Sequence, residues 1–185
     1  MKFIAVLFAC SVALTIPSPG ADRPQWGEAW NRNMVSAEVG LADSFDPKSG
    51  KNIKWVAKLG TETHSTPVIA GGRVYIGTNN GDPRDPKHQG DRGVLMCFDE
   101  KDGRLLWQLV VPKREEDQYL DWPKCGISSP ATVDGKRIYV VSNRGEVIGS
   151  ADQPAACEQC RCLHSAQACN VSEGIQSGRE VASLP

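Results

Sequence analysis

The sequence predicts an all-β chain built from repeated four-stranded units, and three observations carry that reading. One turn-and-strand pattern occurs twice, as Asp46-Pro-Lys-Ser-Gly50-Lys-Asn-Ile-Lys-Trp55 and as Asp99-Glu-Lys-Asp-Gly103-Arg-Leu-Leu-Trp107. A second pattern follows each copy in the same order. It reads Ser65-Thr66-Pro67-Val-Ile-Ala-Gly71-Gly72-Arg73-Val74-Tyr75-Ile76 in the first and Ser128-Ser129-Pro130-Ala-Thr-Val-Asp134-Gly135-Lys136-Arg-Ile138-Tyr139-Val140 in the second. Finally, eighteen Gly and twelve Pro in 185 residues mark a turn-rich chain and argue against long helices.

Each piece of the repeat has a physical reading. In Asp-x-x-Ser/Asp-Gly the Asp caps a turn and the Gly supplies a positive φ, so Asp46, Gly50, Asp99 and Gly103 are the expected turn residues. The basic-apolar-apolar-Trp run after each turn predicts a strand. Gly71-Gly72 and Asp134-Gly135 predict two-residue hairpin turns, the second of type I′. Residues 73–78 and 137–142 are the returning strands, and Asn79-Asn80-Gly81 and Asn143-Arg144-Gly145 read as the next turns. Residues 93–98 form the strand that leads into the Asp99 turn. The prolines Pro67 and Pro130 lie 63 positions apart and the tryptophans Trp55 and Trp107 lie 52 apart, a difference absorbed by loops inside the units. Four short strands joined by tight turns make one blade of a β-propeller.

These motifs resemble the repeat of the quinoprotein (PQQ-like) propellers, a family that includes PQQ-dependent alcohol dehydrogenases and the propeller lipoprotein of outer-membrane assembly. The lead-in around Trp26-Gly27 and residues 31–41 is similar to that of exported PQQ-like proteins of planctomycete-type bacteria. The resemblance covers about residues 24–148. It implies a partial propeller of about two blades, with Trp55 and Trp107 docking one blade against the next. It also brings PQQ and Ca²⁺ into view as cofactors. Arg73, Lys124, Cys125, Arg137 and Arg144 are the groups that could be claimed for PQQ, but no position matches a family binding motif. The adjacent Cys-Cys pair that caps the cofactor in PQQ dehydrogenases does not occur, and no catalytic Asp is assignable. A shared fold hosts unrelated functions, so the resemblance specifies architecture rather than activity.

The N-terminus has the layout of a secretory signal peptide, with Lys2 followed by a nearly unbroken apolar run over residues 3–16 and then Pro17-Ser18-Pro19-Gly20-Ala21. Fourteen residues are too few for a membrane span, which takes roughly 20. Cleavage after Gly20 is expected. Leu7-Phe8-Ala9-Cys10 is a poor lipobox because Phe8 is bulky, so a lipid anchor at Cys10 is not expected. Residues 1–20 are thus read as signal peptide, 21–45 as lead-in, 46–148 as blades and 149–185 as an irregular tail. Export permits disulfides among Cys97, Cys125, Cys157, Cys160, Cys162 and Cys169 without implying them. A net charge of −1 gives no electrostatic footprint for nucleic acid.

Beyond Ile148 the pattern stops, with no third Asp-turn and no third Trp of the repeat. The tail instead carries four cysteines, which reads as a shifted reading frame or as an unrelated extension. Two blades would leave apolar faces and strand edges open, which predicts that the isolated chain aggregates or folds in part unless a partner completes it. The spacing Cys157-x-x-Cys160-x-Cys162-x-His164-x₄-Cys169 could suit zinc, but the tail lacks strands to hold ligands, so no metal is expected there. It is no c-type haem motif, since Arg161 stands where His is required. Asp82, Asp85 and Asp91 are oxygen donors of the kind Ca²⁺ takes, but without the spacing of a calcium loop they read as a plain surface loop. Residues 113–117 read as a solvated charge run, His64 and His88 as isolated, and Tyr119 and Trp122 as packing residues. The expected function is a non-catalytic exported scaffold or binding module for a protein or small-molecule ligand. The alternatives are the N-terminal part of a PQQ-dependent dehydrogenase, or a non-functional truncated product.

Overall fold

A computed structural model of the chain describes residues 20–28, 31–113, 122–151 and 161–164. Four antiparallel strands form the first sheet in chain order: β1 (Val68–Ala70), β2 (Arg73–Asn79), β3 (Arg92–Asp99) and β4 (Leu105–Pro112). A second sheet repeats the arrangement with β5 (Thr132–Asp134), β6 (Arg137–Val141), β7 (Val147–Ala151) and β8 (Arg161–His164). Two consecutive four-stranded meanders are what the repeat predicts. Among the described residues no helix is long and apolar enough to cross a membrane.

The tight turns set the pairing. Ala70 faces Arg73 across Gly71-Gly72, whose φ values of 59° and 73° are both left-handed, as a type I′ turn requires. The second hairpin differs from expectation by one position. Asp134 stays in β5 opposite Arg137, so the loop pair is Gly135-Lys136. Only Gly135 has a positive φ (57°), which is the pattern of a type II′ turn with Gly first.

β3 shows how the core divides. Its even positions Val94, Met96 and Phe98 face one side, and its odd positions Leu95 and Cys97 face the other. On the odd side Val68, Tyr75, Leu95, Cys97, Leu109 and Val111 pack with Ile127, Ile138, Val140 and Ile148, so this core lies between the two sheets. On the even side Val74, Val94, Met96 and Phe98 are covered by Trp55, Ala57 and Leu59. A sheet covered on both faces needs apolar residues at every position, and β3 reads that way. The second sheet buries Ile138, Val140 and Ile148 on its inner face and leaves Val141 exposed.

Two expectations change here. Residues 51–55 are not a paired strand. From Ile53 to Leu59 the chain is extended with alternating burial, odd positions inward, yet only the isolated bridge Asp46–Lys51 pairs it. A ladder needs a partner strand, and among the described residues none pairs with residues 53–59. The blade region also does not end at Ile148, because β7 continues to Ala151 and β8 pairs with it, placing Cys162 opposite Ile148 and His164 opposite Val147. Part of the tail expected to be irregular is therefore strand.

Candidate functional site

The expected site residues fall at the two ends of the strands. At the end formed by the β1–β2 and β3–β4 turns, Asp99 and Gly103 close a turn in which the Gly103 N–H donates to the Asp99 carbonyl at 2.8 Å and the Lys101 N–H to the Asp99 carboxylate at 2.8 Å. Asp46 and Gly50 build the same turn, with the Gly50 N–H donating to the Asp46 carbonyl at 2.9 Å and the Lys48 N–H to the Asp46 carboxylate at 2.9 Å. Both glycines are left-handed, at 75° and 73°. The Ser49 hydroxyl also donates to Asp46 at 2.6 Å. That bond, followed by the one from Lys48, holds the Asp46 carboxyl below its ordinary range. A depressed carboxyl pKa means the turn is fully stabilised above the unfolded value and loses that support as pH falls through the folded one. Titration of Asp46 by carbon NMR should give a midpoint below that of an exposed Asp, and Ser49→Ala should move it upward.

Trp55 rests on the second of these turns. Its indole Nε1–H donates to the Glu100 carbonyl at 2.8 Å, and its ring lies against Phe98 with centroids 6.4 Å apart. A Cβ on Gly103 would come within 2.6 Å of the Trp55 ring, so this turn requires Gly twice over, for φ and for space. Trp107 lies on β4 against Tyr75, with centroids 6.0 Å apart, and packs on the core between the sheets.

At the opposite end, loops converge on Thr78 and Asn79, which belong to β2 rather than to a turn. Asn79 is 1% exposed. Its Oδ1 accepts from the N–H groups of Glu62 (3.2 Å) and Gly81 (3.1 Å), and its Nδ2 donates to the Lys124 carbonyl (2.9 Å) and the Thr61 hydroxyl (3.1 Å). The Thr78 hydroxyl donates to the Glu62 carbonyl at 2.9 Å and accepts from the Gly60 N–H at 3.1 Å. Ile127, fully buried, seats between the sheets where Gly77 and Gly93 leave room; a Cβ at Gly77 would collide with the Ile127 carbonyl. The sequence reads Asn79 only as a turn residue and does not single out Ile127. The signal for Asn79 is the repeated Thr/Ser-Asn at Thr78-Asn79 and Ser142-Asn143, two polar residues kept at the end of an apolar strand.

The acidic loop does not gather its carboxylates. Asp82 pairs with Lys58 at 2.5 Å, Asp85 accepts from the Lys87 N–H at 2.9 Å, and Asp91 accepts from the Lys124 N–H at 2.8 Å while pairing with Lys113. Among the described residues no group of three or more His, Cys, Asp or Glu is placed to hold a metal ion. His64 stands 3.9 Å from Glu62, and His88 stands 3.8 Å from Asp85. Trp122 is 73% exposed, against the expectation of a packing residue. Cys97 is buried, and the Cys125 sulfur lies 3.1 Å from the Ser128 hydroxyl. Tyr119, the signal-peptide region, Cys157, Cys160, Cys169 and all but Lys113 of the 113–117 charge run lie outside the described residues.

The groups that could be claimed for PQQ do not fit it. Arg73 and Arg137 begin β2 and β6, beside the hairpin turns. Lys124 is bonded through its carbonyl to Asn79, at the far end of β2, and Arg144 is ion-paired with Glu146 at 3.2 Å just past the end of β6. Arg73 and Asn79 lie six positions apart along β2, about 20 Å at the rise of a β-strand. A planar tricarboxylate cannot be gripped from both ends of the sheet at once.

Consecutive four-stranded antiparallel sheets stacked face to face, each begun by a Ser-x-Pro segment, with Asp-x-x-x-Gly turns before and within the first, define a propeller-type repeat protein. The chain belongs to the PQQ-like repeat family: the family model described as outer membrane protein assembly factor BamB matches residues 29–153. That match takes in most of the lead-in and the whole of β7. No curated protein matches the chain.

Proposed function

We propose that this chain is an exported, non-catalytic propeller module that presents its loop end to a protein or small-molecule ligand, with Trp55 and Trp107 as blade-docking residues. The observation that supports this reading most is how the polar groups at the loop end are used. The Asn79, Thr78 and Asp91 side chains hold the segments 60–63, 80–92 and 122–127 to one another. A catalytic group needs a free face toward substrate, and these side chains are committed to the backbone of their neighbours. The loops so fixed form a shaped surface, with Trp122 exposed upon it, and rigid scaffolds that position loops are how repeat proteins bind. The segment at residues 1–20 fits export through the inner membrane. The test is dye-linked dehydrogenase assay of the full chain supplied with PQQ and Ca²⁺, together with quinone absorbance after gel filtration. The expected result is neither retained quinone nor turnover; turnover abolished by Ca²⁺ chelation would defeat the reading.

A further inference from the structure

The lead-in folds back on itself and grips the first strand of each sheet. Its bend is closed by the Glu28 N–H donating to the Asn33 carbonyl at 2.8 Å and the Arg32 N–H to the Glu28 carbonyl at 2.9 Å. Residues 22–24 lie along β1 and reach β5. Arg23 and Ile69 exchange both main-chain bonds, at 2.7 Å and 3.2 Å, and the Gly71 N–H donates to the Asp22 carboxylate at 3.0 Å. One residue on, the Pro24 carbonyl accepts from the Val133 N–H of β5 at 2.6 Å. β1 and β5 are the first edges of two different sheets, so this short strap ties one blade to the next. The returning arm of the lead-in holds the strap from its other side. The Arg23 guanidinium donates to the Val35 carbonyl at 3.4 Å, and the Ala21 N–H donates to Glu38 Oε1 at 2.5 Å. Gly20 leaves room for that carboxylate, since a Cβ there would stand 3.2 Å from the same oxygen.

Ala21 is the residue that cleavage after Gly20 would leave first. We propose that Glu38 is the receptor for the α-ammonium which this cleavage creates, so that processing pins the strap across both sheets. The proposal rests on the export reading above. Hydrolysis by a signal peptidase adds water across the Gly20–Ala21 peptide bond. The water oxygen goes to the Gly20 acyl carbon, which departs as a carboxylate, and both water protons go to the Ala21 nitrogen, which becomes –NH₃⁺. The nitrogen facing Glu38 thereby changes from a neutral donor with one N–H to a cation with three, and a hydrogen bond becomes an ion pair as well. An α-amino group is mostly charged at pH 7. The fit belongs to one bond only. Cleavage after Ala21 would start the chain at Asp22, whose carboxylate is engaged with Gly71, and would remove the nitrogen that faces Glu38. Glu38 has no part in the loop end that faces the ligand, so the pin acts on the docking of the blades and not on binding.

N-terminal sequencing of the exported chain, followed by amide exchange of Ile69, Gly71 and Val133 in that chain at pH 7, tests it. The first residue is expected to be Ala21. The three amides are the strap's own bonds to the sheets. Nα-acetylation restores the neutral amide of the unprocessed chain, and E38Q removes the charge on the other side. Each should speed the exchange of all three amides about two- to fivefold, the effect of one exposed ion pair. Acetylating the E38Q chain should add nothing, because the pair is already gone. Exchange that is indifferent to acetylation, or accelerated equally by it in E38Q, would overturn the proposal. A chain that begins at Asp22 would overturn it too while leaving export standing, and one that retains Met1 would defeat both.

Discussion

Replacing Asn79 with Ala should release the loop end from the first sheet, with a loss of about 3 kcal/mol or more in the protection of β2 and β3. The side chain is buried and meets four groups, of which three are backbone atoms on three different segments: Glu62 N–H, Gly81 N–H and the Lys124 carbonyl. Truncation leaves these groups behind, and each unsatisfied buried group costs about 1–3 kcal/mol. Opening of the released loops lets water reach some of them, which places the sum nearer the lower end. Asn80 provides the contrast. Its Nδ2 donates to the carbonyls of His88 and Gly90, both within the same loop, so Asn80→Ala should cost about 1 kcal/mol and loosen residues 82–90 alone. Amide exchange of β2 and β3 in the two variants separates the cases. Equal effects would mean that Asn79 is merely a loop residue.

Removing Trp55 should uncover the even face of the first sheet. The indole covers Phe98, and with Ala57 and Leu59 it shields Val74, Val94 and Met96. Full burial would make Trp→Ala worth about 3–5 kcal/mol, and half-burial reduces the expectation to about 2–3 kcal/mol. Trp55→Phe keeps most of the packing and loses the bond to Glu100, about 1 kcal/mol. Gly103→Ala should reach a similar end from the other side. An Ala at φ 73° is strained by about 1–2 kcal/mol, and its Cβ displaces the ring it would touch. Because both changes break one contact, the Trp55→Ala, Gly103→Ala double variant should be less destabilised than the two single effects added together. Full additivity would show that Trp55 and the Gly103 turn are not coupled.

What could be read from the sequence was whatever depends on neighbours in the chain. The Gly71-Gly72 hairpin, the Asp46 and Asp99 turns and the alternation of β3 are local, and each appears where its residue types require. The one-position error at Asp134 arose because Asp-Gly is itself a favoured turn pair, while the register is decided by Arg137 pairing across to Asp134. Residues 53–59 carry strand chemistry and strand alternation, but no sequence pattern announces that a partner strand is missing. Asn79 and Ile127 looked ordinary because their roles depend on segments 17 to 50 positions away, at Glu62, Gly77 and Lys124. The acidic loop shows the converse. Asp82, Asp85 and Asp91 are close in sequence, yet each is held by a different partner.

Exposed apolar groups include Leu41 and Phe45 before the Asp46 turn, Val56 on the outward side of the unpaired run, and Val141 on the outer face of the second sheet. The same motif is therefore present once with cover and once without it, and that contrast is the centre of the account. Native-state hydrogen exchange on the full chain compares the two copies directly. The account predicts that the amides of residues 92–99 are among the slowest in the chain while those of residues 39–45 exchange close to the rate of an open strand. Equal protection of the two segments would contradict it.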